Sequence, residues 1–330
     1  MSCLYKLLMS LLSTRVSTIA IENELMSPNQ KSARPHEGCH EHTFTLQSII
    51  SDAKRNQKDC FIAWLDLRNA FGSVPHDAIY LTLAHIGFPT SFIQLIQNGY
   101  QDSTTTIRTS SGETPAIPIL SGVKQGCPIS AILFNLASEI LIRSVTSKAV
   151  ENPRLPYSMH NHPVSTLAYA DDLVLISKSR DGLQSFLDAT STAADILNLS
   201  FRPDKCSSLS LLLNKRSSAN TGSRIGSTIY SVQANEIPAM AKDDSIKYLG
   251  VPFGLLRQSS DYDDITSHLV KDLELIRDSL LAPWQKLDAI RTFLLPCLTY
   301  ALRASPVTQA FLKEFHNALT ATLRKIMNLP

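Results

Sequence analysis

The chain has 330 residues, enough for about two domains or one larger multi-lobed one. Its 44% apolar share is ample for a packed core and excludes disorder for the bulk of the chain. Lys plus Arg number 31 against 29 Asp plus Glu, and the net charge of +2 neither requires nor rules out a nucleic-acid partner.

The start, MSCLYKLLMSLLSTRV, has the look of a weak signal or transit peptide. Its apolar positions Leu4, Leu7, Leu8, Leu11 and Leu12 recur at helical spacing, which suits an amphipathic core helix. Residues 1–58 read as helices joined by the polar loop SPNQKSARPHEGCHEH. CFIAWLDL, bounded by charged residues, has the length and bulk of a buried strand. HDAIYLTLAHIGF, starting near Pro75, and SFIQLIQNGYQ read as helices, each closed by a glycine. TTTIRTSSGETPAIPIL reads as a hairpin with Ser-Gly at its turn, SGVKQGCP as a loop and ISAILFNLASEILIRSV as a helix. STLAYADDLVLISKS has apolar runs on both sides of an acidic pair, the pattern of a hairpin with Asp-Asp at its tip. DGLQSFLDATSTAADILNL is a helix with Asp181 near its start, and LSFRPDKCSSLSLLL a strand. Residues 214–236, rich in Ser, Asn and Gly, read as a surface insertion or weak hairpin. Residues 262–329 are helical in period, broken only at Pro283, Pro296 and Pro306, which puts a boundary near 255 between a mixed α/β part and a helical part.

No apolar run approaches the roughly 18 residues that a membrane span needs, so no membrane partner is expected. The six cysteines are scattered with no CxxC pair, which fits a reducing compartment and argues against a zinc ribbon. An intracellular location, nucleus or cytoplasm and not secreted, is the expectation. His36, Cys39, His40 and His42 cluster, but no second ligand cluster lies at finger spacing, so zinc is not the favoured reading.

Adjacent acids occur three times. Asp243-Asp244 and Asp263-Asp264 lie in polar, loop-like surroundings and read as solvated charge. Asp171-Asp172 instead sits between Leu167-Ala168 and the run Leu173 to Ile176. Carboxylates at such a turn are costly to bury even in part unless a cation neutralises them. Asp66 ends another apolar run, and if both strands share a sheet it converges with Asp171 on one edge. Hard oxygen ligands of this sort suit Mg²⁺, with Mn²⁺ as an alternative, and two such ions support phosphoryl transfer to a hydroxyl.

With these residues in place, YADD at 169–172 resembles motif C of reverse transcriptases of non-LTR (LINE-type) retrotransposons. FIAWLDLRNAFGSVPH (61–76) is similar to their motif A, GVKQGCPISAILFN (122–135) to motif B and LNLSFRPDKCSSL (197–209) to motif D. IKYLGVPFG (246–254) resembles the primer-gripping hairpin and NQKSARPHEGCHEHTFTL (29–46) the finger segment before motif A. The six blocks, in order, cover about residues 4–254, and helices such as PWQKLDAIRTFLLPCLTYALR resemble the start of the thumb.

The resemblance implies an α/β (α+β) right-hand polymerase with a ferredoxin-like palm, its fingers in residues 1–60, the palm in 61–254 and a helical thumb in 255–330. It implies RNA-directed DNA polymerase activity, with an RNA template, a DNA primer and dNTPs as partners and two Mg²⁺ ions as cofactors. Asp66 and Asp171, with the carbonyl of Leu67, are then the metal ligands, and Asp172 the second acid of motif C. Phe71 is the gate against a ribose 2′-hydroxyl, and Gln125 and Gly126 line the nucleotide and template side. Lys205 is a proton donor to pyrophosphate or an electrostatic partner, and Tyr248, Leu249 and Gly250 grip the primer. The plainer alternatives are core packing for Phe71, a solvated Lys205 and an ordinary turn for Gln125-Gly126.

Gly72 departs from the resemblance, standing where an aspartate is usual, and weakened structure rather than lost chemistry is expected from it. A chain opening after the first finger motif and stopping within the thumb is expected of a fragmentary retroelement copy. The alternatives are a decayed or domesticated fragment that binds nucleic acid without polymerising, and a viral RNA-copying enzyme, which Phe71 disfavours.

Overall fold

The structure is a computed structural model, and it describes residues 1–36, 38–212, 224–226, 228–255, 260–304 and 309–329. The elements run α1 (Cys3–Glu22), α2 (Gly38–Arg55), β1 (Cys60–Leu65), α3 (Ala70–Ser73), α4 (His76–His85) and α5 (Thr90–Tyr100). Four two-residue strands follow, β2 (Thr104–Thr105), β3 (Arg108–Thr109), β4 (Gly112–Glu113) and β5 (Ile117–Pro118), then α6 (Ser130–Glu151). Next come β6 (Tyr157–Met159), β7 (His162–Val164), β8 (Thr166–Tyr169), β9 (Asp172–Ser177), α7 (Arg180–Ile196) and β10 (Ser207–Leu212). The remaining strands are β11 (Arg224–Ile225), β12 (Tyr230–Val232), β13 (Asn235–Ile237), β14 (Ser245–Tyr248) and β15 (Val251–Gly254). Helices α8 (Ser260–Asp278), α9 (Pro283–Ala289), a π-helical turn Ile290–Leu294, α10 (Leu295–Ala304) and α11 (Gln309–Met327) close the chain.

The main sheet has the order β11-β10-β1-β9-β8, with every neighbour antiparallel. Taken with the helices α6 and α7, which pack on each other, β1-α6-β8-β9-α7-β10 is a βαββαβ ferredoxin-like unit. β1 sits in the middle and is buried along its whole length, which explains its continuous apolar sequence. Phe61, Ala63 and Leu65 on one face join the core formed with Phe134, Leu141, Leu183 and Phe186 of the two helices. On the opposite face Cys60, Ile62 and Trp64 are also buried.

The chain divides into two compact units, residues 1–42 with 48–240 and residues 43–47 with 241–330. Strands β14 and β15 pair with each other and fall in the second unit. The second unit has its own core of Leu269, Leu273, Ile290, Leu294 and Phe315.

Several local expectations need correction. In α1 the buried line is Met9, Val16 and Ala20, with Tyr5 and Leu12 partly covered, whereas Leu4, Leu7, Leu8 and Leu11 are exposed. The leucine stripe is therefore not the core face. By length and composition alone α1 is also apolar enough to cross a membrane, contrary to the reading of apolar run length. The β3–β4 turn is centred on Ser110-Ser111 rather than on Ser-Gly. Asp263-Asp264 lies in α8, not in a loop. The strand read in 199–213 begins only at Ser207, because residues 200–206 turn to brace the end of β1. Pro283 opens α9, while Pro296 stands in α10 just after the π-helical turn. Pro306, and residues 214–223 and 227 of the expected insertion, lie outside the described residues. The described remainder of that stretch contains the β12–β13 hairpin.

Candidate active site

β1 and β9 run antiparallel in the register Leu65↔Leu173, and β9 pairs with β8 through Tyr169↔Asp172. Asp66 directly follows Leu65, so the strand pairing brings it to the same sheet edge as the hairpin tip. The tip itself is Ala170-Asp171, because Asp172 is already the first residue of β9. The acidic pair thus straddles the end of the turn, with both carboxyl groups in the electrostatic field of Asp66.

That field bears on their acidities. Partial burial pushes Asp171 above the ordinary carboxylate range, helped by the Asp66 charge and opposed by a backbone hydrogen bond and then by Arg202. Asp172 keeps solvent access, yet desolvation, with the charges of Asp171 and Asp66, pushes it up to about 6. Two carboxyl groups pushed upward beside a third acid are a donor set suited to a hard divalent cation.

Asp66 is held from both sides. Its backbone N–H donates to Cys206 Sγ at 3.4 Å, and its carbonyl accepts from Arg202 N at 2.9 Å. Its carboxylate receives Arg202 Nε at 2.5 Å, with both side chains about one-third exposed. Arg202 is a site residue that sequence reading missed. Its signal was proximity to Lys205 in the same turn, but the sequence does not show that this turn lies against Asp66, as the Leu67↔Phe201 bridge and the Arg202 hydrogen bonds do. Among the described residues no group of three or more His, Cys, Asp or Glu side chains is arranged to hold a metal ion alone. Mg²⁺ commonly takes only one or two carboxylates and completes its shell with water and substrate phosphates, so the acids here fit it without forming a closed cage.

Phe71 opens from α3, and its ring stacks on Phe134 of α6 with centroids 4.3 Å apart and an 18° interplanar angle. It is only partly buried. The loop before α6 crosses directly over α3: Val123 N donates to the Phe71 carbonyl at 2.7 Å, Gly122 N to that of Val74 at 2.8 Å, and Ser121 Oγ to that of Gly72 at 3.0 Å. Gln125 and Gly126 follow on this loop and are exposed, with Gly126 at a φ of +75°. Gly72 sits in the crossing, where a Cβ would lie 2.4 Å from Asn69 Nδ2, so an aspartate there requires Asn69 to move.

Leu67 is buried and bridges to Phe201, whereas the Lys205 side chain is exposed in the turn after it. Tyr248, Leu249 and Gly250 form the end and turn of the β14–β15 hairpin in the second unit. Tyr248 is buried there, and Leu249 and Gly250 are at positive φ. His42 of the histidine-rich segment turns Nε2 to the carbonyls of Asn29 and Ala168, at 3.0 and 2.9 Å.

A ferredoxin-like sheet whose central strand and neighbouring hairpin carry three acids to one edge is the palm of a right-hand polymerase. The chain belongs to the reverse transcriptase (RNA-dependent DNA polymerase) family, whose model matches residues 1–253. It is similar to Pol proteins of retrotransposable elements. The Pol polyprotein of the type-2 retrotransposable element R2DM of Drosophila melanogaster is 29% identical over 332 residues, covering 100% of this chain and 30% of that protein. The Pol polyprotein of an R2 element of Popillia japonica is 29% identical over 331 residues, covering 99% and 44%. The RNA-directed DNA polymerase of the mobile element jockey of Drosophila melanogaster is 23% identical, covering 98% and 34%. The chain thus spans less than half the length of these relatives. Among solved structures, apo telomerase from Candida tropicalis shares the fold with a TM-score of 0.51 at 12% identity, covering 98% of this chain and 55% of that one.

Proposed function

We propose that this chain copies an RNA template into DNA, joining dNTPs to the 3′-hydroxyl of a DNA primer. The observation that carries this reading is the convergence of Asp66, Asp171 and Asp172 at one edge of a ferredoxin-like sheet, with Asp171 and Asp172 both in the field of Asp66. Reverse transcriptases use divalent metal ions. In this reading Asp66, Asp171 and the Leu67 carbonyl hold two Mg²⁺ ions, with Mn²⁺ able to replace them, and Asp172 lies beside them. Two ions so bound would make the primer hydroxyl a better nucleophile and offset charge on the leaving pyrophosphate.

The remaining roles follow from chemistry. Phe71, wedged by its stack on Phe134, offers a ring edge where a 2′-hydroxyl would clash. The exposed Gln125-Gly126 loop lets backbone approach a nucleotide closely. Lys205 is an exposed cation able to protonate or offset pyrophosphate. Tyr248, Leu249 and Gly250 grip the primer end. Fingers in 1–60, palm in 61–254 and thumb from 255 remain the assignment we favour. The hybrid duplex is held through its phosphates and A-like shape rather than by base edges.

The test is primer extension on poly(rA)/oligo(dT) with and without Mg²⁺, comparing the chain with Asp171→Asn. Mg²⁺-dependent extension that drops at least about 1,000-fold in the variant supports the reading. Duplex binding that weakens with salt but gives no Mg²⁺-dependent extension makes the chain a nucleic-acid binder instead.

A further inference from the structure

The turn that carries Asp171 is unusual in its backbone. Ala170, the residue before it, has a φ of +54°, a conformation that side chains other than glycine adopt at a cost. Such a residue persists when its surroundings over-determine it, and here the surroundings come from a distant segment. Gln30 is fully buried and forms a parallel bridge with Ala168. Ala168 N donates to the Asn29 carbonyl, and Lys31 N to the Ala168 carbonyl, both at 3.0 Å.

The side chain of Gln30 then carries the pairing further than the backbone reaches. Its Oε1 accepts the Ala170 N–H at 2.9 Å, and its Nε2 donates to the Ala170 carbonyl at 3.3 Å. The carboxamide thus imitates one more peptide group of a neighbouring strand, satisfying both polar groups of the left-handed residue. The same Oε1 accepts Ser32 N at 3.1 Å, which fixes the amide's orientation, and Asn135 of α6 holds the Ser32 carbonyl at 3.1 Å. His42 Nε2 closes the set on the carbonyls of Asn29 and Ala168. Both polar atoms of the carboxamide thus meet the Ala170 peptide groups, and the oxygen is shared with Ser32 N.

We propose that Gln30 is a positioning residue for the metal site: by clamping Ala170 it sets where the Asp171 and Asp172 carboxylates stand relative to Asp66. This rests on the reading of those acids as metal ligands. It makes the segment before α2 a fixed part of the catalytic edge.

The test compares the full chain with Gln30→Met, which keeps the length and loses both hydrogen bonds. The readout is Mn²⁺ affinity by electron paramagnetic resonance titration. The expected result is an affinity about tenfold weaker in the variant. Tyr157→Phe, which loses a buried hydrogen bond to Asp52 remote from the acids, should bind Mn²⁺ as the parent does. Wild-type binding with unchanged affinity in Gln30→Met overturns the role of Gln30 alone. No Mn²⁺ binding by the wild-type chain overturns the metal-site reading, and the role of Gln30 with it. Should Gln30→Met not fold, hydrogen exchange of the Ala170 amide in the wild-type chain decides. Exchange slowed at least a hundredfold over a free turn amide supports the clamp, and exchange at the free rate overturns it.

Discussion

At the scale of single residues, Asp172 couples proton, fold and metal. An acid whose folded pKa lies near 6, above its unfolded value of about 4, favours the folded state fully below the lower figure. That contribution is lost as pH rises through about 6. A divalent cation prefers the ionised form, so its stabilisation runs the opposite way. Mn²⁺ should therefore raise the melting temperature clearly near pH 7.5 and little near pH 5. Thermal melts with and without the ion at the two pH values check this, and equal rises would mean that the acids titrate far from 6 or do not bind it. Phe71 offers a second test. Because its ring is wedged on Phe134 and not fully buried, Phe71→Val should remove the proposed gate without unfolding the core. The dNTP-to-rNTP ratio of kcat/KM should fall about tenfold, roughly 1.4 kcal/mol of discrimination. An unchanged ratio would reassign the ring to packing.

Among elements, the decisive feature is the crossing of the loop before α6 over α3. Gly122 has a φ of +84°, and a Cβ there would lie 2.6 Å from the Cα of Gly72. Neither neighbour can yield, since both atoms belong to backbone already fixed by hydrogen bonds. Gly122→Ala should cost about 1–2 kcal/mol from the left-handed conformation alone, and more from the clash. Urea unfolding should report that loss. A neutral substitution would mean that the two loops sit further apart than the structure has them. The same crossing gives Gly72 a local rationale, because a side chain at 72 competes with Asn69 for the same space.

For the whole molecule, each compact unit has a buried cluster among the described residues and is expected to unfold around it. Chains with separate cores commonly depart from two-state unfolding. Phe315 is buried in the helical unit with Leu269, Leu273, Ile290 and Leu294. Phe315→Ala should cost about 3–5 kcal/mol there while leaving the Mn²⁺ affinity of the first unit unchanged. Scanning calorimetry beside a metal titration separates these effects. A single transition that shifts as one, with Mn²⁺ affinity falling alongside, would show one cooperative body.

Composition and periodicity alone found β1, α6, the β8–β9 hairpin and the helical tail, because each has a strong local pattern of apolar residues. The isolated acids in apolar runs were legible for the same reason: charge there has no packing use. The sequence could not show that Arg202 reaches Asp66, that Gln30 holds Ala170 or that Phe134 carries Phe71. Those contacts join residues 136, 140 and 63 positions apart. Nor could periodicity tell the exposed leucines of α1 from its buried line, since both faces are apolar. Local pattern fixes which segments become strands and helices, but strand register and loop crossing depend on what each face meets. Only the assembled sheet decides that Asp66 and Asp171 share an edge.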